Sequence, residues 1–171
     1  VEPTSISNTG GTATKTGGQV TFSAVSTLNL NGMFTSTYDN YKVMIDATTS
    51  ANNAINFRLR VGGVDASGSN YVYQYLNVNN TSVVAARVTA TSIPLMDTNT
   101  PIRSAAVFDI ISPSVAQATN FLSFNQYSVL SAGLNLYAGT HSLSTAYDGL
   151  SFTTSSGTVT GTIRIYGYDN S

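Results

Sequence analysis

Residues 55–61 read INFRLRV, with an apolar residue at every second position. Side chains along an extended strand alternate between two faces, so Ile55, Phe57, Leu59 and Val61 share one side and Asn56, Arg58 and Arg60 the other. A helix would scatter the same residues around its circumference. The pattern recurs along the chain. YKVMIDA sets Tyr41, Val43, Ile45 and Ala47 against Lys42, Met44 and Asp46. GTVTGTIRIYGY sets Val159, Ile163 and Ile165 against Thr160, Thr162, Arg164 and Tyr166. VVAARVTA, FLSFNQYSVL and LNLYAGTHSL read as further strands, and SAAVFDIIS as a largely buried one. No stretch has helical period, and the Thr, Val, Tyr and Ile that dominate these runs favour strands. Roughly eight to ten short strands separated by turn signals predict an all-β fold, a two-sheet antiparallel β-sandwich of jelly-roll type. Residues 1–19, rich in Gly, Thr and Ser, read as an extended N-terminal arm or linker, and 20–171 as a single sandwich domain.

At 171 residues, with 42% apolar residues, the chain can bury a substantial core. Only 9% of its residues are charged and the net charge is −1, so neither nucleic acid nor an anionic membrane surface is an expected partner. So neutral a surface does little to keep copies apart, which favours life in an assembly. There is no cysteine, hence no disulfide framework and no thiolate chemistry. No run approaches the ~18 consecutive apolar residues of a membrane span. VEPTSISNTGG lacks a basic region followed by an apolar stretch, so no signal peptide is expected there.

Catalytic chemistry finds little support. The acidic residues are Glu2, Asp39, Asp46, Asp65, Asp97, Asp109, Asp148 and Asp169, scattered and mostly in turn contexts, where Asp bonds nearby backbone. Asp109 lies inside AAVFDIIS and is expected to point outward or to be a hydrogen-bonded core group. His141, Ser142 and Asp148 could form a triad by composition, but no nucleophile elbow accompanies them. One histidine and no cysteine exclude an ordinary zinc site. VDASGSN (64–70) lacks the acidic spacing of an EF-hand and reads as a hairpin connection. The Gly-rich stretches GGTATKTGG and GVDASG do not link a strand to a helix, so they are not phosphate loops. Arg58 and Arg60, with Arg87, could make a basic patch, although pairing with Asp across strands is the simpler expectation. No catalytic residue, cofactor or metal is expected.

Ten Tyr and no Trp is an unusual balance. YVYQYLNV lines up Tyr71, Tyr73 and Tyr75 on one face, where they can fill the core, form a subunit interface or contact a ligand. Tyr-Asp occurs three times at strand boundaries, in TYDNY, AYDGL and YGYDN, each time before Asn or Gly. Asp-Asn and Asp-Gly are turn signals. Tyr38 and Tyr147 are therefore expected to cover corners of the sandwich, their hydroxyls near backbone groups. Asp39 and Asp148 are expected to bond nearby backbone N–H groups and to share no ligand.

Taken in order, STLNLNGMFTSTYDNYKVMI (26–45), FRLRVGGVDASGSNYVYQYL (57–76), THSLSTAYDGLSF (140–152) and GTVTGTIRIYGYDN (157–170) resemble a β-sandwich domain found in tail-fibre and minor tail proteins of tailed bacteriophages. The likeness runs from about Gly18 onward and is weakest over 89–125. It implies a non-enzymatic virion surface protein, a tail-fibre or receptor-binding tip, whose partners are further copies in a homotrimer, other virion proteins reached through the N-terminal arm, and a host surface glycan or protein. The resemblance also implies assembly in the host cytoplasm without membrane insertion. A capsid decoration or head-fibre protein is the alternative, and a free carbohydrate-binding module a second one.

Overall fold

The computed structural model describes residues 1–79, 81–98, 100, 102–127 and 133–170. Among these, fifteen strands and no helix are found. They are β1 (Ser5–Thr9), β2 (Thr12–Thr16), β3 (Gln19–Val25), β4 (Thr27–Asn31), β5 (Asn40–Thr49), β6 (Asn53–Val61), β7 (Val64–Asp65), β8 (Tyr71–Asn79), β9 (Ser82–Ala90), β10 (Ile93–Thr98), β11 (Ser104–Ile111), β12 (Thr119–Tyr127), β13 (Gly133–His141), β14 (Gly149–Thr154) and β15 (Val159–Tyr168). They form two antiparallel sheets packed as a β-sandwich. The smaller sheet runs β1-β4-β14-β6-β10, with β7 hairpinned onto β6, and the larger runs β2-β3-β15-β5-β11-β12-β13-β8-β9.

The core lies where alternation placed it. Tyr41, Val43, Ile45 and Ala47 of β5 are buried, as are Ile55, Phe57 and Leu59 of β6 and Val159, Ile163 and Ile165 of β15. Four phenylalanines join the sheets. Phe57 stacks on Phe108 with ring centroids 5.1 Å apart, meets Phe121 edge-on at 5.8 Å, and Phe108 meets Phe152 at 6.2 Å. Phe57 and Phe152 come from the smaller sheet and Phe108 and Phe121 from the larger, so the cluster sets how the layers sit.

Three local expectations need correction. Residues 1–19 are extended but are not a separate arm: β1 pairs with β4 and β2 with β3, adding an edge strand to each sheet. Edge pairing requires backbone hydrogen bonds rather than an apolar period, so composition alone could not reveal it. Gly10 and Gly11, both at positive φ, carry the chain from one sheet to the other. At the end of β6 the faces alternate as expected but exposure does not follow them, because the β7 hairpin covers the outer face there. Val61 is exposed at the hairpin with Val64, while Arg60 is buried among Asn29, Asn31 and Asp65. The turn between β6 and β7 is Gly62-Gly63, both at positive φ, which suits a tight hairpin. Finally, SAAVFDIIS is buried on one face only, with Ser104, Ala106, Phe108 and Ile110 inward and Asp109 outward on Lys42.

Truncating the central cluster should be costly. Phe108→Ala is expected to destabilise the fold by about 3–5 kcal/mol, whereas exposed Val61→Ala should stay within about 0.5 kcal/mol of wild type. Urea unfolding midpoints of the two variants check the contrast.

Candidate functional site

The tyrosine stripe of β8 divides in two. Tyr71 is fully buried, and its hydroxyl accepts from Leu59 N (2.9 Å) and donates to Ala66 O (2.9 Å). It ties the larger sheet to β6 and to the loop after β7, and burial pushes its phenol above the ordinary range. Tyr71 is thus a core clasp and not a ligand contact. Its ring lies edge-on to His141, which in turn lies edge-on to Tyr147.

Tyr73 and Tyr75 face a different setting. With Tyr137, Asn77, Val84, Pro94 and Asp97 they line an open cleft of about 280 Å³. Its position follows from topology. Cross-strand pairing puts Tyr137 beside Tyr75, and Asn125, Asn135 and Asn77 in one row across β12, β13 and β8. The smaller sheet ends at β10, from which Pro94 and Asp97 form the opposite wall. Tyr73 and Tyr137 stand at 68° to each other with centroids 5.9 Å apart, and Tyr75 and Tyr137 at 44° and 6.1 Å.

The asparagine row forms the polar floor. Asn77 Nδ2 donates to Asn135 Oδ1 (2.5 Å), Asn135 Nδ2 donates to Asp97 Oδ2 (3.0 Å) and to Asn125 Oδ1 (3.3 Å), and Asn125 Nδ2 donates to Leu95 O (2.7 Å). Asn125 and Asn135 are buried, and this chain of bonds is what makes their burial tolerable. Burial also pushes the Asp97 carboxyl upward, partly offset by the hydrogen bond from Asn135. Asp97 and Tyr137 did not stand out in the sequence, since only the strand order brings them to Tyr73 and Tyr75.

The other singled-out residues have structural partners. Asp39 Oδ2 accepts from Asn170 N (3.1 Å) and Asp148 Oδ2 from Gly62 N (2.8 Å). Both carboxylates bond backbone, as expected, but the donors are distant in sequence rather than nearby. The corners are therefore tertiary clasps rather than local turns. Tyr147 is buried with its hydroxyl 2.9 Å from His141 Nδ1, not on backbone, and the Tyr38 ring lies against Gly167, so close that a Cβ there would clash. Asp109 pairs with Lys42 at 2.8 Å. Arg58 and Arg60 both pair with Asp65, so they make no free basic patch. Among the described residues no group of three His, Cys, Asp or Glu could hold a metal ion.

The outer face of the larger sheet is unusual in the opposite sense. In β12, Ser123 and Asn125 point in while Leu122 and Phe124 point out, Phe124 being 56% exposed. In β13, Asn135 points in while Leu134 and Leu136 are exposed. Register aligns Met44, Val107, Phe124, Leu136 and Leu76 in one row across five strands. Beside it lies a shallow depression of about 300 Å³ lined by Leu76, Ala85, Leu136 and Ala138. Of the charges flanking this row, Lys42 pairs with Asp109 and Asp46 with Arg103, while Arg164, beside Met44, donates to the neutral Gln19.

No protein-family model and no curated protein sequence matches the chain. Among solved structures it is similar to a bifunctional GH43-CE protein of Bacteroides eggerthii, at 9% identity and a TM-score of 0.28, over 83% of this chain. The chain spans 21% of that structure's length. A likeness of this strength carries no argument about fold or activity.

Two expectations follow from the buried Tyr71–His141–Tyr147 group. Tyr71→Phe leaves the Leu59 N–H and the Ala66 carbonyl without their partner and should cost about 1–3 kcal/mol, measurable by thermal or urea unfolding. His141 is fully buried, and burial holds its imidazole below the ordinary value of 6.5. The unfolded chain therefore takes up a proton first as pH falls. This contribution to stability is complete above pH 6.5 and is lost as pH falls from there toward the folded-state value. The thermal midpoint should decline through that window, and His141→Gln should flatten the decline.

Proposed function

We propose that this chain is a non-enzymatic structural protein of a bacteriophage particle, a tail-fibre or receptor-binding appendage that acts as a homo-oligomer. The observation that carries the assembly part is the apolar row Met44–Val107–Phe124–Leu136–Leu76 on the outer face of the larger sheet. Proteins that remain monomeric rarely leave a contiguous apolar patch of more than a few hundred Å² in water. The occupant is a further copy of the chain. With Lys42–Asp109 and Asp46–Arg103 paired internally, Arg164 confined to one end of the row beside Met44, and a net charge of −1, the middle of the face presents little like-charge repulsion to its own copy. The particle part rests on the phrases at 26–45, 57–76, 140–152 and 157–170 that resemble phage tail β-sandwiches, and on a low-charge, cysteine-free composition suited to assembly in a reducing cytosol.

Native mass spectrometry of the purified 17.9 kDa chain should show a trimer. The double variant Phe124→Lys, Leu136→Glu, which sets opposite charges across from each other on β12 and β13, should give a monomer that still unfolds cooperatively, because both side chains are exposed within one chain. A wild type that stays monomeric at every concentration, and is missing from purified particles, would sink the proposal. Electron microscopy and adsorption assays of particles lacking the protein separate the two virion roles. Lost adsorption with intact capsids marks an appendage, and fragile capsids with normal adsorption mark a decoration protein.

A further inference from the structure

Asp97 is the one carboxylate among the described residues that is largely removed from solvent yet has neither a cation nor a backbone N–H. Glu2 pairs with Lys15, Asp46 with Arg103, Asp65 with Arg58 and Arg60, and Asp109 with Lys42. Asp39 and Asp148 accept backbone N–H groups, and Asp169 is exposed. The remaining basic side chains lie elsewhere: Arg164 donates to Gln19, and Arg87 lies opposite Gln74 on the outer face. Asp97 has the Asn135 amide, and that amide is shared with Asn125. A neutral amide leaves the formal charge uncompensated, and burial raises the carboxyl's pKa accordingly.

The walls of the same cleft carry negative potential too. The faces of aromatic rings are negative and attract cations, whereas their edges are positive. Tyr75 is half-buried, while Tyr73 and Tyr137 are buried and meet edge to face, so a compact group in the cleft meets the Tyr75 ring and the margins of the other two. The cleft's volume of about 280 Å³ suits a single small head group, just under the roughly 300 Å³ at which pockets for drug-sized ligands begin.

We propose that the cleft formed by Tyr73, Tyr75, Tyr137, Asn77 and Asp97 binds an alkylammonium head group, a compact organic cation of the choline type. The Tyr75 ring, with the cleft-lining margins of Tyr73 and Tyr137, holds the cation's apolar shell, and the Asp97 carboxylate supplies the missing counter-charge. An anionic ligand such as a phosphate meets repulsion from both. A neutral sugar can accept and donate hydrogen bonds here but leaves the carboxylate uncompensated. The site opens on the inner side of the larger sheet, opposite in facing to the apolar row, so it stands or falls independently of the assembly reading.

The test is calorimetric titration of the full chain with choline, with its neutral isostere 3,3-dimethylbutan-1-ol, and with glucose. Choline should bind saturably and about tenfold or more tighter than the isostere, in line with the worth of a partly desolvated cation–π contact. Asp97→Asn keeps the acceptor for Asn135 and should fold, but should weaken choline binding by about tenfold while leaving the isostere unaffected. Tyr75→Phe, which keeps the ring, should bind choline nearly as well as wild type, and Tyr75→Leu should not. Equal binding of choline and the isostere, binding of glucose alone, no binding of choline at millimolar concentration, or an Asp97→Asn variant that folds and binds unchanged would each overturn the proposal. Near-wild-type thermal midpoints establish that a loss in any variant reflects the site and not the fold.

Discussion

The two sheets are of unequal width, and much of this molecule follows from that mismatch. The path β1-β4-β14-β6-β10 cannot cover nine strands. The phenylalanine cluster of Phe57, Phe108, Phe121 and Phe152 fastens the layers where they overlap. Beyond β10, the inner faces of β13, β8 and β9 need other cover. At one end the loop after β7 and the Tyr71–His141–Tyr147 group supply it. At the other, the inner face is left partly open as the cleft of Tyr73, Tyr75 and Tyr137.

Strands β12 and β13 show how such a geometry overrides simple partition. Their pairing puts Phe121 and Tyr137 inward, and a strand has no freedom to turn single residues over. Ser123, Asn125 and Asn135 must then follow inward, and Leu122, Phe124, Leu134 and Leu136 outward. A slip of one residue would bury the leucines but eject the aromatic rings. The inward amides are accommodated by bonding one another and Asp97. The outward side chains have no such remedy within one chain. Each is about a third to a half exposed, so covering one removes only part of the roughly 1.5–3 kcal/mol that full burial of such a side chain is worth. One register therefore produces both the polar floor of the cleft and the apolar outer row.

The Tyr-Asp corners illustrate a quieter kind of constraint. Asp39 clasps the chain's last strand through Asn170 N, and Asp148 clasps the β6–β7 hairpin through Gly62 N. Arg60, buried beside that hairpin, is held by Asn29, Asn31 and Asp65. These charges fasten strand ends to one another in a chain with few charges to spend.

Much of the fold was legible in the sequence, because the alternation in YKVMIDA, INFRLRV and GTVTGTIRIYGY is a local property that extended backbone converts directly into buried and exposed faces. The absence of a helical period and the turn signals led to the antiparallel sandwich, and Asp-Asn and Asp-Gly marked corners. The edge strands at 5–16 stayed hidden because backbone pairing needs no side-chain pattern. The site was half legible: the stripe Tyr71–Tyr73–Tyr75 was visible, but its division into a core clasp and two cleft walls was not. Tyr137 lies 62 residues beyond Tyr75 along the chain yet directly beside it in the sheet, and Asp97 arrives from the other layer. Sequence by itself determined which residues can share a face. Tertiary structure decided which faces meet and which remain uncovered, because strand order, sheet width and register depend on long-range pairing that no local window contains.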